Sequence, residues 1–376
     1  MTRRSRNAGP VDHASLYPHA ATDSPEKENL PVMPRTSPVL TGRPSFLAAP
    51  RCADLDLLDA DVAVLGVPYT TPCDLVASRG PSSDAPGAVR EQSLSLADRL
   101  THYDFDFGGD LLAGRHVRIV DVGDAHAIAG RYDENARNVT AAVRAVLKRS
   151  RLAIVIGGDH AATLPVVRAV AEQGSTCVVH LGAELDWRDE VNGVGEGAPS
   201  AMRRVAELPG VSAMIHVGLR GSGAAHPSDV QDARAFGSVL VRAEEVHELG
   251  VPAILRRLPA APRYYVSLDA AALDPAIAPG VDTPAFGGLT YYEATNLLKG
   301  IAARGPVIGM DLVGIAPARD LHHRTSLLGA RLILNLVGAL AHAARIDEGP
   351  DAAEARRGTA PAVARAGGPA LVGGRS

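Results

Sequence analysis

The chain has 376 residues, of which 46% are hydrophobic and only 4% aromatic, so it can bury a sizeable core of aliphatic side chains. A formal net charge of −4 gives no electrostatic basis for binding nucleic acid or an anionic membrane. No apolar run approaches the roughly 20 residues that span a bilayer. The basic N-terminus is followed by no apolar segment, and the three cysteines lie far apart, which favours a reduced, cytoplasmic setting.

The two ends of the chain lack the periodicity of folded elements. Residues 1–50 mix Pro, Ser, Arg and Glu, and residues 347–376 are rich in Ala, Gly, Pro and Arg. Such compositions bury too little apolar surface to offset the entropy lost on ordering, so both ends are predicted to be disordered tails. Residues 51–346 between them are predicted to form one α/β domain.

Short β-branched runs alternate with helical segments throughout this domain. The runs are apolar at every position, which is typical of strands buried on both faces. Helical stretches such as 133–149 and 290–304 separate most of them. This alternation predicts a three-layer α/β/α fold with a mostly parallel sheet of about eight strands. The predicted strands are 62–67, 117–122, 152–157, 176–181, 213–218, 237–241, 263–268 and 306–311.

Ligands of such sheets bind beyond the carboxyl ends of the strands, so the residues after each run are candidates for chemistry. His160 ends the sequence GGDH after one run. Glu184 and Asp186 follow another run at alternate positions, which share one side of an extended segment, and Asp269 follows a third. Together these residues predict a divalent-metal site. Taken singly, each also has a structural interpretation, as a packed histidine, a helix cap or a partner of an arginine.

Four longer motifs resemble the ureohydrolase family, which includes arginase, agmatinase and guanidinobutyrase, with the agmatinase-like branch closest. They are VIGGDHAATLPVVRAV, VGLRG, SLDAAALDPAIAPGVDTPAFGGLT and GMDLVGIAP. The resemblance runs from about residue 60 to residue 342. It implies a dinuclear manganese centre, hydrolysis of a linear amidine or guanidino compound, and a homo-oligomer, either a trimer or a hexamer.

Carried over position by position, the family's metal motifs are incomplete in this chain. His160 matches the histidine of GGDH. Residues 182–186 read GAELD where the family has DAHxD, so among the ligands only Asp186 is retained. Residues 267–271 read SLDAA where the family has SxDxD, so only Asp269 is retained. The resemblance therefore implies a metal site on these three residues that takes at most one manganese ion, with no ion as the alternative.

Other family positions have changed as well. Glu184 stands at a ligand histidine, Glu196 at a proton-transferring histidine, and Gly314 at the glutamate that meets the guanidinium group. Glu184 and Glu196 are therefore the candidate general bases. The acids near the site would repel each other without an ion, so at least one should have a raised pKa. The literal DAH at 124–126 aligns with a different loop of the family and is not expected to bind metal.

Two functions remain open at this point. The first is a metal-dependent C–N hydrolase, or an enzyme of a related step, that acts on a small guanidino or amine-bearing metabolite. The second is a catalytically inactive protein that keeps the fold for binding or assembly. Neither involves nucleic acid or a membrane. Tight binding of a divalent ion would favour the first.

Overall fold

The computed structural model describes residues 39–40, 44–71, 83–223 and 225–346. The predicted tail 347–376 and most of the predicted tail 1–50 lie outside these residues. Residues 44–50, which the sequence analysis places in the N-terminal tail, pack against the domain. The side chain of Phe46 is buried, and its backbone N–H donates a 2.7 Å hydrogen bond to Oδ2 of Asp121.

A nine-stranded sheet forms the centre of the described part of the chain. Eight neighbouring strands are parallel, and one short strand pairs antiparallel at an edge. All eight predicted strands are confirmed, with ends displaced by a few residues. The strands are β1 Val39–Leu40, β2 Val62–Gly66, β3 Tyr103–Asp104, β4 Gly109–Asp110, β5 Ile119–Ala125, β6 Leu152–Ile156, β7 Thr176–Leu181, β8 Val211–Leu219, β9 Val239–Arg242, β10 Tyr264–Asp269 and β11 Val307–Val313. Strands β3 and β4 form a separate ribbon, and the large sheet has the order β1-β5-β2-β6-β11-β10-β7-β8-β9.

Helices cover both faces of this sheet and complete the predicted three layers. One buried apolar cluster lies between the sheet and α1, α6, α7, α8 and α9, and a second lies between the opposite face and α2, α3 and α4. Two-sided burial explains why the strand sequences are apolar at every position. The helices are α1 Ala85–Ala97, α2 Tyr132–Leu147, α3 Thr163–Ala171, α4 Ala201–Ala206, α5 Pro227–Phe236, α6 Ala243–Leu249, α7 Val251–Arg256, α8 Tyr291–Arg304 and α9 Arg324–His342.

Helix α9 belongs to the one described segment, Leu321–His342, that is long and apolar enough to cross a membrane. Its most apolar window is 78% buried inside the protein. It packs against α1 and α8, and the side-chain amide of Asn335 donates to the hydroxyls of Tyr291 and Thr295 on α8. The segment is therefore a core helix of the domain, which the sequence analysis did not single out.

The strand order places the C-terminal ends of the neighbouring strands β6, β11, β10 and β7 side by side. The chain leaves β6, passes over two positions and continues as β7, and β10 and β11 later fill the gap. The site residues predicted from the sequence follow β6, β7 and β10. A switch of this kind opens a crevice beyond the strand ends, where ligands of α/β sheets bind.

Candidate metal centre

A buried pair, His160 and Asp186, lies in this crevice. The preceding residue, Asp159, caps the short turn after β6 by accepting hydrogen bonds from the backbone N–H groups of Ala161 and Thr71, at 3.1 and 2.8 Å. This cap fixes the direction of the His160 side chain. Nδ1 of His160 then lies 2.8 Å from Oδ2 of Asp186, and the two side chains are 4% and 7% exposed.

The backbone at Asp186 is held in an unusual conformation. Its φ of 52° lies in the left-handed region, which aspartate tolerates better than most residues. Its carbonyl accepts hydrogen bonds from the N–H groups of Met202 and Arg203 at 3.0 and 3.2 Å, which ties the loop to the start of α4. These contacts hold the carboxylate toward His160.

A buried polar chain orients His160 from the other side. Nε2 of His160 lies 3.1 Å from the hydroxyl of Ser267, and that hydroxyl donates to Oδ1 of Asp311 at 2.7 Å. The hydroxyl of Tyr265 donates to the other oxygen of Asp311, also at 2.7 Å. Because Ser267 uses its proton on Asp311, it accepts the Nε2 proton of His160. Nδ1 is therefore the nitrogen that His160 presents to the acids.

Two further acids border the pair. Asp269 ends β10, and its Oδ2 lies 3.9 Å from Nδ1 of His160. Burial raises the pKa of Asp269 to about 6. Burial, together with the charges of Asp186 and Asp269, raises the pKa of Glu184 to about 7. These raised pKa values agree with the expectation that at least one of the neighbouring acids has a raised pKa when no ion is present.

The same two acids also raise the pKa of the histidine, because their negative charges stabilise its protonated form. Burial by itself lowers the pKa of His160, but the charge of Asp186, its hydrogen bond and the charge of Asp269 outweigh burial and raise that pKa to about 9. In the metal-free protein at neutral pH, His160 is therefore an imidazolium paired with Asp186. A cation that binds there replaces the Nδ1 proton, so binding releases a proton.

Two histidines that were not predicted from the sequence lie beside this pair. His180 on β7 and His216 on β8 are opposite each other in the strand register, fully buried, with their Nδ1 atoms 3.0 Å apart. Nε2 of His180 lies 3.9 Å from Oδ2 of Asp186. Donor atoms of His160, His180 and Asp186 all lie within 4.8 Å of one another, an arrangement that could hold a metal ion. The available signal was a histidine inside each of two otherwise apolar strands, TCVVHL and AMIHVG.

Two glycines leave room for these side chains. A Cβ atom at Gly182 would lie 2.1 Å from Nε2 of His180. A Cβ atom at Gly314, where φ is +75°, would lie 2.3 Å from Oδ1 of Asp269. The imidazole and the carboxylate thus fill the space beside both positions, where the resemblance leads one to expect acidic side chains.

The remaining sequence candidates lie apart from this cluster. The Glu196 side chain is 54% exposed, pairs with Arg168 at 3.2 Å and lines a cavity of about 290 Å³ that also borders Tyr69. In the DAH stretch, Asp124 forms an ion pair with the buried Arg90, and His126 is exposed. The structure therefore brings together four of the predicted site residues, His160, Glu184, Asp186 and Asp269, but not Glu196.

The pKa shifts predict how the stability of chelator-treated protein varies with pH. The pKa of Glu184 is higher in the folded protein than in the unfolded chain, so the free energy of unfolding should fall as pH rises from about 4.5 to 7. The stabilisation from His160 is complete below its unfolded pKa of about 6.5 and should be lost as pH rises toward 9. Urea unfolding at intervals from pH 5 to 9 measures both trends.

The variant Glu184→Gln isolates the first of these trends. Its free energy of unfolding should change less between pH 5 and 7 than that of the parent, because the neutral amide does not titrate. Exposed Glu190→Gln is the matched control and should keep the parent's slope. Equal slopes for the parent and Glu184→Gln would contradict the raised pKa of Glu184.

Comparison with known proteins connects this geometry to chemistry. The arginase family profile matches residues 60–338. Guanidinopropionase from Pseudomonas aeruginosa is 33% identical over 336 residues, which cover 86% of this chain and 98% of that protein. Proclavaminate amidinohydrolase from Streptomyces clavuligerus is 33% identical over 320 residues, or 82% and 96% of the two chains. The solved structure of proclavaminate amidinohydrolase from Streptomyces clavuligerus superposes with a TM-score of 0.70, covering 83% of this chain and all of that one at 29% identity.

Proposed function

Because the chain belongs to the arginase family, we propose that it hydrolyses a C–N bond of a small guanidino or amidino compound with one divalent ion. The observation that carries this proposal is the buried pair His160 and Asp186 with Asp269 and Glu184 at the same edge of the sheet. In the reaction, water adds to the central carbon, and the bond from that carbon to the substituted nitrogen breaks. An amine and urea, or the corresponding amide, are the products.

The donor atoms fit one ion and do not fit two. His160, Asp186 and Asp269 offer one nitrogen and two carboxylates within 3.9 Å of that nitrogen. Positions 182 and 271 are Gly and Ala, which offer no side-chain donor for a second ion. With Glu184, the three acids carry a charge of about −3 when ionised, enough to neutralise one divalent ion. When bound, a divalent ion lowers the pKa of a coordinated water and so supplies a nucleophile near neutral pH.

The side chains around the ion divide the remaining tasks. Glu184 is proposed as the general base, because its partly exposed carboxyl group borders the proposed ligands Asp186 and Asp269. Ser267 and Asp311 are positioning residues, which keep Nδ1 of His160 directed toward the acids. Asp269 occupies the space beside Gly314 and so lies where its charge can attract a cationic guanidinium group.

The experiment for this proposal is urea release from guanidinopropionate, guanidinobutyrate and agmatine, with the parent and Glu184→Gln. Loss of a general base should lower kcat by about 10²- to 10⁴-fold. The number of ions bound per chain should stay the same, because Glu184 is not needed to hold the ion. Glu190→Gln, at an exposed position, should retain the parent's kcat. Full activity of Glu184→Gln would remove Glu184 from the mechanism.

The second candidate is a protein that keeps the fold without catalysis. The missing side chains at Gly182, Ala271 and Gly314 favour it, because each stands where the resemblance implies an acid. It predicts no urea from any substrate and no tight binding of a divalent ion. Under either function we propose a homo-oligomer in the cytoplasm, in keeping with the free thiols of Cys52 and Cys177.

A further inference from the structure

His180 carries a buried nitrogen that none of the contacts described so far satisfies. Its side chain is fully buried, and Nε2 has no hydrogen-bond partner within the part of the chain that the structure describes. A buried polar atom without a partner costs free energy, and most proteins avoid one. This atom lies 3.9 Å from Oδ2 of Asp186, too far for a hydrogen bond.

The other nitrogen of His180 fixes the direction of this atom. The two Nδ1 atoms of His180 and His216 are 3.0 Å apart, so one ring donates a proton to the other. When His180 is the donor, its Nε2 has no proton and keeps an unused lone pair near Asp186. Metal-binding histidines commonly donate the second N–H to a buried acceptor in this way. The ring of Trp187 packs edge-on against His216, with centroids 5.7 Å apart, and restricts its movement.

The spacing of the donor atoms suits a four-coordinate ion. Ligands of tetrahedral zinc lie about 2.0–2.1 Å from the metal, and hence about 3.3 Å from one another. Nδ1 of His160 lies 2.8 and 3.9 Å from oxygens of Asp186 and Asp269, and Nε2 of His180 lies 3.9 Å from Asp186. These three distances lie on both sides of the required value, and the donor atoms of His160, His180 and Asp186 all lie within 4.8 Å of one another. Gly182 is essential for this arrangement, because a Cβ atom there would overlap Nε2 of His180.

We infer that His180 is a fourth ligand, and that with His160, Asp186 and Asp269 it forms a mononuclear site selective for borderline ions such as Zn²⁺ or Co²⁺ over Mn²⁺. The inference rests on the proposed function, because it concerns the same ion. Imidazole nitrogens suit zinc, whereas manganese favours sites rich in oxygen. A second imidazole therefore adds more to the affinity for zinc than to the affinity for manganese.

The test compares ion affinities of the metal-stripped, full-length parent and His180→Phe, which keeps a buried ring without nitrogen donors. Zinc binds more tightly than manganese at most sites, so the informative quantity is the change in each affinity. His180→Phe should weaken zinc binding by at least about 100-fold, which is more than the loss of a residue that only hydrogen-bonds a ligand would cause. The same variant should weaken manganese binding by less than about fivefold. The visible absorption of bound Co²⁺, which is intense for four-coordinate ions, should fall in the variant.

Two control variants narrow the interpretation. His126→Phe changes an exposed histidine and should leave both affinities and the Co²⁺ spectrum unchanged. His216→Phe removes only the partner of His180 and should weaken zinc binding by about 10- to 100-fold. His216 is thus a positioning residue, and its effect should be smaller than that of His180.

The outcomes separate this inference from the proposed function. A zinc affinity and Co²⁺ spectrum of His180→Phe that match the parent would exclude His180 as a ligand and leave the single-ion hydrolase intact. A parent that binds no divalent ion would overturn both. If His180→Phe does not fold, X-ray absorption of the zinc-loaded parent counts the imidazole ligands. Two imidazoles are expected, and one would overturn the inference.

Discussion

An Asp186→Ala variant is expected to lose at least about 1,000-fold in kcat/KM for any guanidino substrate that the parent hydrolyses. Oδ2 of Asp186 lies near both imidazoles, 2.8 Å from Nδ1 of His160 and 3.9 Å from Nε2 of His180. Without it, the ion would have one carboxylate between two nitrogens and would be held poorly. Loss of the proposed ion would remove several kcal/mol of stabilisation from the transition state.

Calorimetric titration of the metal-stripped variant separates this effect from a local loss of structure. Asp186→Ala should show no heat of ion binding at concentrations that saturate the parent. The matched control is Asp189→Ala, three residues further along the same loop, whose side chain is 71% exposed and pairs with Arg204. It should bind and react like the parent. An Asp186→Ala variant that binds one ion with an affinity within about threefold of the parent's would place the ion elsewhere.

The variant Asp121→Ala should lower the free energy of unfolding by about 3–5 kcal/mol. Asp121 is fully buried and accepts two hydrogen bonds from the guanidinium group of Arg90, at 2.8 and 3.0 Å, with further bonds from the N–H groups of Phe46 and Gly123. Removing the carboxylate leaves a buried guanidinium with one remaining acid, Asp124, and two backbone donors without a partner. The loss of stability follows from the cost of an uncompensated buried charge, not from the strength of the original pair.

Urea unfolding measures this loss, with a surface ion pair as the reference. Asp59 pairs with Arg118, and its side chain is 68% exposed, so Asp59→Ala should change the free energy of unfolding by no more than about 1 kcal/mol. If the two variants lose equal stability, the Arg90 network contributes no more than a surface pair. Asp124 of the DAH stretch belongs to the same buried network, because it pairs with Arg90.

Together, these variants distinguish a site that binds one ion with an altered set of ligands from a site that no longer binds an ion. If the site no longer binds an ion, substitution of His160, His180 or Asp186 would alter the stability of the protein without altering ion binding. If the site binds an ion, the same substitutions would lower the ion affinity. The effect should be larger for His160 than for His180, because His160 lies nearer to Oδ2 of Asp186. The fully buried chain of Asp311, Ser267 and His160 favours a changed centre, because it still directs Nδ1 toward the acids.

Local sequence was sufficient to predict the fold and three of the clustered acids. Apolar runs of strand length with helical stretches between them predict a covered parallel sheet, and the eight predicted strands lie where the structure has them. The carboxyl ends of such strands meet at one edge, so Glu184, Asp186 and Asp269 could be expected near His160. Long motifs such as VIGGDHAATLPVVRAV and GMDLVGIAP added the family resemblance, which the match over residues 60–338 confirms.

The roles of individual side chains depended on contacts between distant strands. His180 looks like part of an apolar run, and only the register of β7 with β8 places it against His216 and turns its second nitrogen toward Asp186. The space that admits it comes from the missing side chain at Gly182. The sequence by itself therefore determined the eight parallel strands to within a few residues, because burial and backbone periodicity are local. The tertiary structure decided which nitrogen meets which carboxylate, because donor geometry depends on distances between residues far apart in the chain.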